Sequence, residues 1–228
     1  MKKSLACTVL AGLLAGCVMT GAEADEVAKY KIDDGAELSW TGIADLVGTG
    51  DKLEVTLLGA PIRSVYGGKS IYGDIGTEAS GNTVVFSGGN HTMSGTVYGG
   101  YAEIYSVSFN IVDIKNGEIK SVVGGYGHYA DILNNEVIIE GGTIIENVVG
   151  GTGHTDDRGV VQGNVVRIKQ GIVKQNVIGG DTGSSNLQNE VYIEEGVVEG
   201  SVYAGRVSVK GVFDVADRAD SEDEMLVG

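Results

Sequence analysis

The chain has few cysteines and prolines, and each shortage excludes a class of protein. Cys7 and Cys17 are the only cysteines in 228 residues, so the rest of the chain has no thiol for a disulfide framework or a cysteine-ligated metal. A single proline and 38 glycines without a three-residue period exclude collagen. Because 42% of the residues are hydrophobic, an ordered domain is expected.

Positive charge is also scarce. Lysine and arginine number 16 against 31 acidic residues, which gives a formal net charge of -15 at pH 7. Phosphate backbones and anionic lipids are bound by clustered basic side chains. We therefore expect no nucleic acid partner, and we expect contact with a membrane only through a lipid anchor.

The N-terminus has the form of a bacterial secretory signal, because two lysines precede an apolar run that is too short to span a membrane. Two processing routes fit this segment. Cleavage after Ala24 removes a signal peptide of residues 1–24, whereas lipidation of Cys17 in a lipobox-like Leu-Ala-Gly-Cys removes residues 1–16. Both routes predict export, with the mature protein secreted or held at the cell surface or outer membrane.

A repeated frame dominates the rest of the chain. Each unit begins Asn-x-Val-x-Ile or Asn-x-Val-x-Phe, has a glycine seven residues after the asparagine, and continues to an apolar pair followed by a glycine step such as Val-Tyr-Gly-Gly. Such a period is typical of a solenoid. A first unit from position 53 lacks the asparagine. The aligned asparagines are Asn82, Asn110, Asn135, Asn164 and Asn189.

The spacing of apolar residues within a unit identifies the kind of solenoid. They alternate over three to five positions, which is strand spacing, and glycines occur where the backbone is expected to turn with positive φ. Two or three short strands make one coil, and each pairs in parallel with its equivalent in the next coil. Because parallel crossovers are right-handed, we predict an all-β fold: a single-stranded right-handed parallel β-helix (β-solenoid) of about six coils with terminal capping segments.

This pattern divides the chain into four parts. The signal at 1–24, or 1–16 in a lipoprotein, is followed by an N-terminal cap at 25–52. The solenoid repeats span 53–205. A final rung and an acidic tail occupy 206–228.

Charged residues provide an independent expectation of register. Five residues after the last four aligned asparagines stand Lys115, Glu140, Lys169 and Glu194. In-register stacking therefore places opposite charges beside each other in neighbouring coils, which stabilises a sheet.

The aligned asparagines and two aligned histidines are the candidate special positions. Stacked amides can bond one another and a turn backbone, so we interpret the asparagines as a structural ladder. His128 and His154 occupy equivalent loop positions near Asp131 and Asp156, and imidazole with carboxylate is a donor set for zinc. Since this column ends after two coils, surface histidines without metal are the interpretation we prefer, and we predict no cofactor.

The Val-Tyr-Gly-Gly and Asn-x-Val-x-Ile steps resemble the β-helical passenger repeats of Gram-negative autotransporter and adhesin-type surface proteins, over roughly 53–205. The resemblance implies a noncatalytic surface protein that contacts a host surface, a matrix protein or a glycan. That family usually carries a C-terminal outer-membrane translocator barrel. This chain departs from that pattern with an acidic tail, so secretion through its own barrel is not expected.

Two other functions remain open at this point. A structural cell-surface spacer has the same repeat, and a polysaccharide lyase or glycosidase can be built on a β-helix. Glycoside chemistry needs two or more carboxylates close together on one face. The acidic residues here do not align in such a column, since Asp113 aligns with Ile138, Arg167 and Tyr192. We therefore predict no catalytic residues.

Overall fold

The computed structural model describes residues 28–41, 44–59, 62–153, 159–182, 185–207 and 225–227. All regular secondary structure in these ranges is β, and they contain no helix with the length and apolar character needed to cross a membrane. Cys17, Ala24 and His154 lie outside them, as do residues 208–224 of the tail.

The strands, in chain order, are β1 (Ala28–Ile32), β2 (Leu38–Trp40), β3 (Leu46–Val47), β4 (Lys52–Leu57), β5 (Val65–Ser70), β6 (Thr83–Ala102), β7 (Val107–Ser108), β8 (Ile111–Gly127), β9 (Ile132–Leu133), β10 (Glu136–Ile139), β11 (Thr143–Ile144), β12 (Val148–Gly153), β13 (Val161–Gln162), β14 (Val165–Ile168), β15 (Ile172–Val173), β16 (Val177–Thr182), β17 (Asn186–Leu187), β18 (Glu190–Ile193), β19 (Val197–Val198), β20 (Val202–Val207) and β21 (Met225–Val227). The long strands β6 and β8 run through several bends of one coil.

The strands that follow the aligned asparagines stack in parallel. Val112 pairs with Val137, Val137 with Val166, and Val166 with Val191. This is the register that the repeat predicts, and it confirms the parallel β-solenoid. We call these segments the asparagine strands; they are the starts of β6 and β8 together with β10, β14 and β18.

Each coil contains three further segments. A middle strand (β11, β15, β19 and their equivalents in β6 and β8) leads to a glycine strand (β5, β12, β16, β20 and the ends of β6 and β8). A short strand then closes the coil, and β7, β9, β13 and β17 form a separate 4-stranded sheet. Four coils therefore contain every segment. A partial coil on each side accounts for the count of about six predicted from the repeat.

Two apolar cores fill the solenoid. Val112, Ile139 and Ile168 belong to the larger one, which runs from the first coil to the last described coil. Ile132 and Val161, on the short strands, belong to a smaller one. Side chains alternate between the two faces of each strand, so every second residue points inward. In the Asn-x-Val-x-Ile pattern these inward residues are the apolar ones, as predicted.

Four of the five ladder asparagines are fully buried, and Asn82, the first of them, is half-buried. Asn135 Oδ1 accepts hydrogen bonds from the backbone N–H and the Nδ2 of Asn110, at 3.0 and 2.9 Å. Its own Nδ2 donates to Asn164 Oδ1 at 2.9 Å and to the carbonyl of Val107 at 2.9 Å. Because the amide meets partners on both sides, a buried polar column is tolerated. Amide-to-amide bonds of 2.7 to 2.9 Å join all five aligned asparagines, from Asn82 to Asn189.

The backbone turns sharply just before each of the last four ladder asparagines. Phe109, Asn134, Gly163 and Gln188 have φ between 51 and 65°, a left-handed conformation that side-chain-bearing residues adopt at a cost. The turn aims the following asparagine inward. The ladder thus fixes backbone geometry as well as satisfying its own amides.

Glycine is required in the glycine pairs of the repeat for a reason other than a positive φ. Positive φ occurs at Gly117, Gly142 and Gly171, seven residues after the asparagines, but not at the pair Gly150 and Gly151. A Cβ on Gly151 would lie 2.7 Å from Asn164 Cγ. The expectation of a positive φ is therefore confirmed at the three glycines that follow the asparagines by seven residues, but not at the glycine pair, where glycine is needed for space beside the ladder.

The first rung is covered by two antiparallel strands. β1 pairs with β4 and with β2, and Tyr30 and Trp40 meet edge to face with ring centroids 6.2 Å apart. At the other end, β21 pairs in parallel with β18. Both pairings satisfy strand edges that would otherwise be open to other chains.

Candidate ligand-binding surface

Tyrosine is concentrated in one part of the molecule. Seven of the 10 tyrosines lie between positions 66 and 129, on the glycine strands of three successive coils and in the turns that leave them. Tyrosine combines a large apolar ring with a hydroxyl, and it is enriched at interfaces. The seven are Tyr66, Tyr72, Tyr98, Tyr101, Tyr105, Tyr126 and Tyr129.

Four of these rings, Tyr66, Tyr98, Tyr101 and Tyr126, form the tyrosine cluster. Parallel pairing places Tyr66 beside Tyr98 and Tyr101 beside Tyr126, so the rings stack with centroids 4.8 and 4.9 Å apart. The two stacks meet edge to face at 5.7 to 6.2 Å. The rings cover much of one another's faces, and the cluster stiffens the outer side of the glycine strands.

The outward column of aligned residues that begins with Tyr66 and Tyr98 becomes aliphatic in later coils. Val123, Val149 and Ile178 follow Tyr98 in register and form a third apolar cluster. Their small exposed fractions, 8% or less, show that neighbouring side chains cover them. The aromatic part of this column is therefore confined to the early coils and Tyr203.

Charged groups flank the tyrosine cluster. Lys69 Nζ lies 4.2 Å from the ring centroid of Tyr66, within the range of a cation–π contact. The Tyr101 hydroxyl donates to Glu103 Oε1 at 2.7 Å. Burial, together with the bond to Glu103, raises the pKa of Tyr101 well above its ordinary value, so this phenol stays protonated and donating at physiological pH.

An exposed apolar patch lies at the corner that follows the glycine strands. The turn backbones align, since Tyr129 N–H donates to the Glu103 carbonyl at 3.1 Å and Glu103 N–H to the Ser70 carbonyl at 3.3 Å. Tyr72 is 79% exposed and Tyr129 54%. Five of the ten large apolar side chains that are exposed among the described residues lie here, and we call them the aromatic corner: Ile71, Tyr72, Ile104, Tyr105 and Tyr129.

Carboxylates occupy the same turns. Asp74 Oδ1 accepts a hydrogen bond from the N–H of Ser106 at 3.0 Å, and Asp131 Oδ1 accepts one from Val160 N–H at 2.9 Å. These bonds tie each turn to the next coil. The carboxylates of Asp74, Asp131 and Glu103 therefore place negative charge in the same turns as the exposed aromatic rings.

Only His128 of the two aligned histidines lies within the described residues. The His128 ring packs on Tyr129 with centroids 4.4 Å apart, and its Nδ1 lies 4.0 Å from Glu103 Oε2. His154 is outside the described residues. Among those that are described, no three histidine, cysteine or acidic side chains are grouped so that they could hold a metal ion.

Acidic residues on the asparagine strands are engaged in ion pairs. Glu140 accepts from Lys115 Nζ at 2.7 Å and from Lys169 Nζ at 3.4 Å. Asp113 Oδ2 lies 2.7 Å from Lys115 Nζ. The register expected from the charges thus brings Lys115, Glu140 and Lys169 together, and the hydrogen bond from Lys115 lowers the pKa of Glu140. Glu194, the fourth expected member, follows in the same register, but among the described residues the ion pair of Lys169 is with Glu140 and not with Glu194.

This ion-pair column yields a testable prediction. Replacing Glu140 by lysine should lower the free energy of unfolding by about 1 kcal/mol, because three like charges then adjoin on an exposed face. The loss should shrink in high salt. Since the pKa of Glu140 is lowered in the fold, its wild-type contribution is present above the unfolded pKa and is lost as the pH falls through the folded pKa.

The control for this prediction is a compensated variant. Adding Lys115→Glu and Lys169→Glu to Glu140→Lys, with every variant made in an Asp113→Asn background because Lys115 also pairs with Asp113, restores alternating charge and should recover most of the loss in a urea titration. A triple variant no more stable than the single one would show that the column makes no energetic contribution.

No known family model, curated protein or solved structure matches this chain. Its function is therefore inferred from the surfaces just described. Sequence reasoning identified the asparagine ladder and the ion-pair column but missed the aromatic corner. The skewed distribution of tyrosine is the available signal, since seven of the 10 tyrosines lie between positions 66 and 129.

Proposed function

We propose that the protein is a noncatalytic, exported binding scaffold of the adhesin type, and that the aromatic corner is its contact surface. The observation that carries this proposal is the set of five exposed apolar and aromatic side chains on three stacked turns. Contiguous exposed apolar patches on soluble proteins mark interaction sites. A spacer has no need for such a patch.

The scaffold beneath the corner supports the same proposal. The tyrosine cluster and the asparagine ladder hold the neighbouring strands in one geometry. A rigid support reduces the entropy lost on binding, and tyrosine has few side-chain torsions to fix. The corner is therefore suited to recognition without rearrangement.

The acidic residues fit this function better than catalysis. Asp113 and Glu140 are held in ion pairs by Lys115, and Asp74 and Asp131 bond turn backbones. A catalytic carboxylate pair needs a proton donor and a base that face one substrate. Binding of a partner requires no such pair of carboxylates.

The proposal predicts that binding depends on the corner. The exported full chain should bind immobilised matrix proteins or a glycan array, and a triple variant Tyr72→Ser, Tyr105→Ser and Tyr129→Ser should bind at least tenfold more weakly, since aromatic anchors dominate interfaces. Surface plasmon resonance measures the loss. The matched control carries Ile172→Ser and Val197→Ser, two exposed positions on the middle strands.

Three outcomes would count against the proposal. Equal binding by the triple variant and the control would place the contact surface elsewhere. Absence of binding to every probe would favour the spacer, whereas release of reducing sugar from a polysaccharide would favour an enzyme.

A further inference from the structure

We infer that the aromatic corner takes a cationic protein segment, in which arginine side chains lie against the tyrosine rings. This inference rests on the proposed function and specifies the chemistry of its partner. It follows from three properties of the corner: open ring faces, exposed aliphatic side chains, and carboxylates in the same turns.

The corner differs from the tyrosine cluster in the accessibility of its rings. In the cluster, Tyr66 stacks on Tyr98 almost in parallel, with an interplanar angle of 4°, so that these ring faces are largely occupied. Tyr72, in contrast, is 79% exposed, and Tyr105 is 44% exposed. An incoming cation or planar group can therefore approach the rings of Tyr72 and Tyr105, whereas the Tyr129 ring already packs on His128.

The chain already uses its tyrosines to hold cations. Lys69 Nζ lies 4.2 Å from the centroid of Tyr66, and Arg167 Cζ lies 4.3 Å from that of Tyr192. Arginine stacks well on aromatic faces because its guanidinium is planar and weakly hydrated. A partner arginine on Tyr72 or Tyr105 would repeat this contact between chains.

Charge determines which partner is favoured. The chain has a formal net charge of -15, and Asp74, Glu103 and Asp131 lie in the turns of the corner. This field attracts cationic segments and speeds their encounter. It repels a second copy of the chain and any anionic glycan.

The exposed isoleucines favour a protein segment over a neutral sugar. Ile71 is 56% exposed and Ile104 50%, and both offer aliphatic surface for the methylene stem of an arginine or for an apolar neighbour in the segment. A neutral oligosaccharide could use the ring faces, but it would gain little from the carboxylates. The combination of groups therefore favours a peptide that is both basic and partly apolar.

Calorimetric titration with simple probes tests this inference. Oligo-arginine, oligo-lysine and oligo-glutamate peptides of equal length, and a neutral oligosaccharide, are titrated into the full chain at low and physiological salt. We expect oligo-arginine to bind several-fold tighter than oligo-lysine at physiological salt, and oligo-glutamate not to bind. Tyr72→Ser with Tyr105→Ser should weaken oligo-arginine about tenfold, as expected for the loss of two exposed cation–π contacts.

Two controls separate the corner from the general charge of the chain. Ile172→Ser with Val197→Ser should leave the affinity for oligo-arginine unchanged. Glu103→Gln, which keeps an acceptor for Tyr101, should weaken binding several-fold at low salt and less at high salt. Urea midpoints of all variants establish that each is folded.

The outcomes distinguish this inference from the proposed function. Equal affinities for the arginine and lysine peptides, with no effect of the tyrosine changes, would mean attraction by net charge alone and would overturn the inference. A neutral oligosaccharide that binds the wild type but not the tyrosine variant would also overturn it, while leaving the proposed function intact. A dimer that the tyrosine changes dissociate would make a second copy the occupant. Oligo-arginine bound at the corner of a chain that binds no matrix protein or glycan would support the inference and contradict the adhesin function.

Discussion

Replacing Ile139 by aspartate should lower the free energy of unfolding by at least about 4 kcal/mol, a size of loss that is diagnostic of a disrupted core. Ile139 has an exposed fraction of 0% and is stacked between Ile114 and Ile168. A carboxylate there would be buried without a cation or a hydrogen-bond donor provided for it. Urea unfolding followed by circular dichroism measures the change.

The matched control is the same substitution at an exposed isoleucine. Ile172 is 38% exposed, so Ile172→Asp should cost less than about 1 kcal/mol. In a solenoid each coil contacts mainly its neighbours, and the coils beside position 139 should therefore lose hydrogen-exchange protection first. Comparable losses in the two variants would contradict the assignment of Ile139 to the core.

The register was predictable from the sequence because one frame recurs in five units. Val112, Val137, Val166 and Val191 stand at the same distance from their asparagines, and a slip of one residue would turn each of them to the outside. The ion-pair column added a second constraint, independent of hydrophobicity. Both are properties of aligned positions, which a repeat makes visible without a structure.

The details of the bends were not predictable in the same way. The short strands have two residues each, which is too few to show an alternating apolar pattern. Left-handed backbone at Phe109 and Gln188 runs against the preference of these residue types. Packing around the next asparagine overrides that preference.

The candidate surface was missed for a related reason. Turn sequences differ from coil to coil: Tyr72 and Tyr129 each stand four residues after a glycine pair, but Tyr105 stands five residues after its own. Their proximity depends on parallel stacking of the turns, through bonds such as Tyr129 N–H to the Glu103 carbonyl. The predictable register aligns the turns, but it does not tell which of their side chains remain exposed, and the structure supplies that information.

The asparagine ladder should be as sensitive as the apolar core. Asn164→Asp is expected to cost about 3 to 5 kcal/mol at neutral pH, the range for an uncompensated buried charge. Asn164 Nδ2 donates to Asn189 Oδ1 at 2.9 Å and to the Ile132 carbonyl at 3.0 Å. It also donates to the Gln162 carbonyl at 3.2 Å, so a carboxylate oxygen in place of this donor would face three acceptors.

The pH dependence of this variant identifies the cause of its instability. Burial and the three facing acceptors should raise the folded pKa of the new carboxyl above its unfolded value of about 3.9. The penalty is therefore largest above the folded pKa, and it shrinks as the pH falls, because protonation removes the buried charge and restores one donor. Urea titrations of wild type and variant at several pH values should show the stability difference narrowing toward acid. Asn90→Asp, the same change at an exposed site, should show no such trend. A loss at position 164 that is independent of pH would mean that the ladder tolerates the charge and that the loss comes from the missing N–H donors, since Asn and Asp have nearly the same shape.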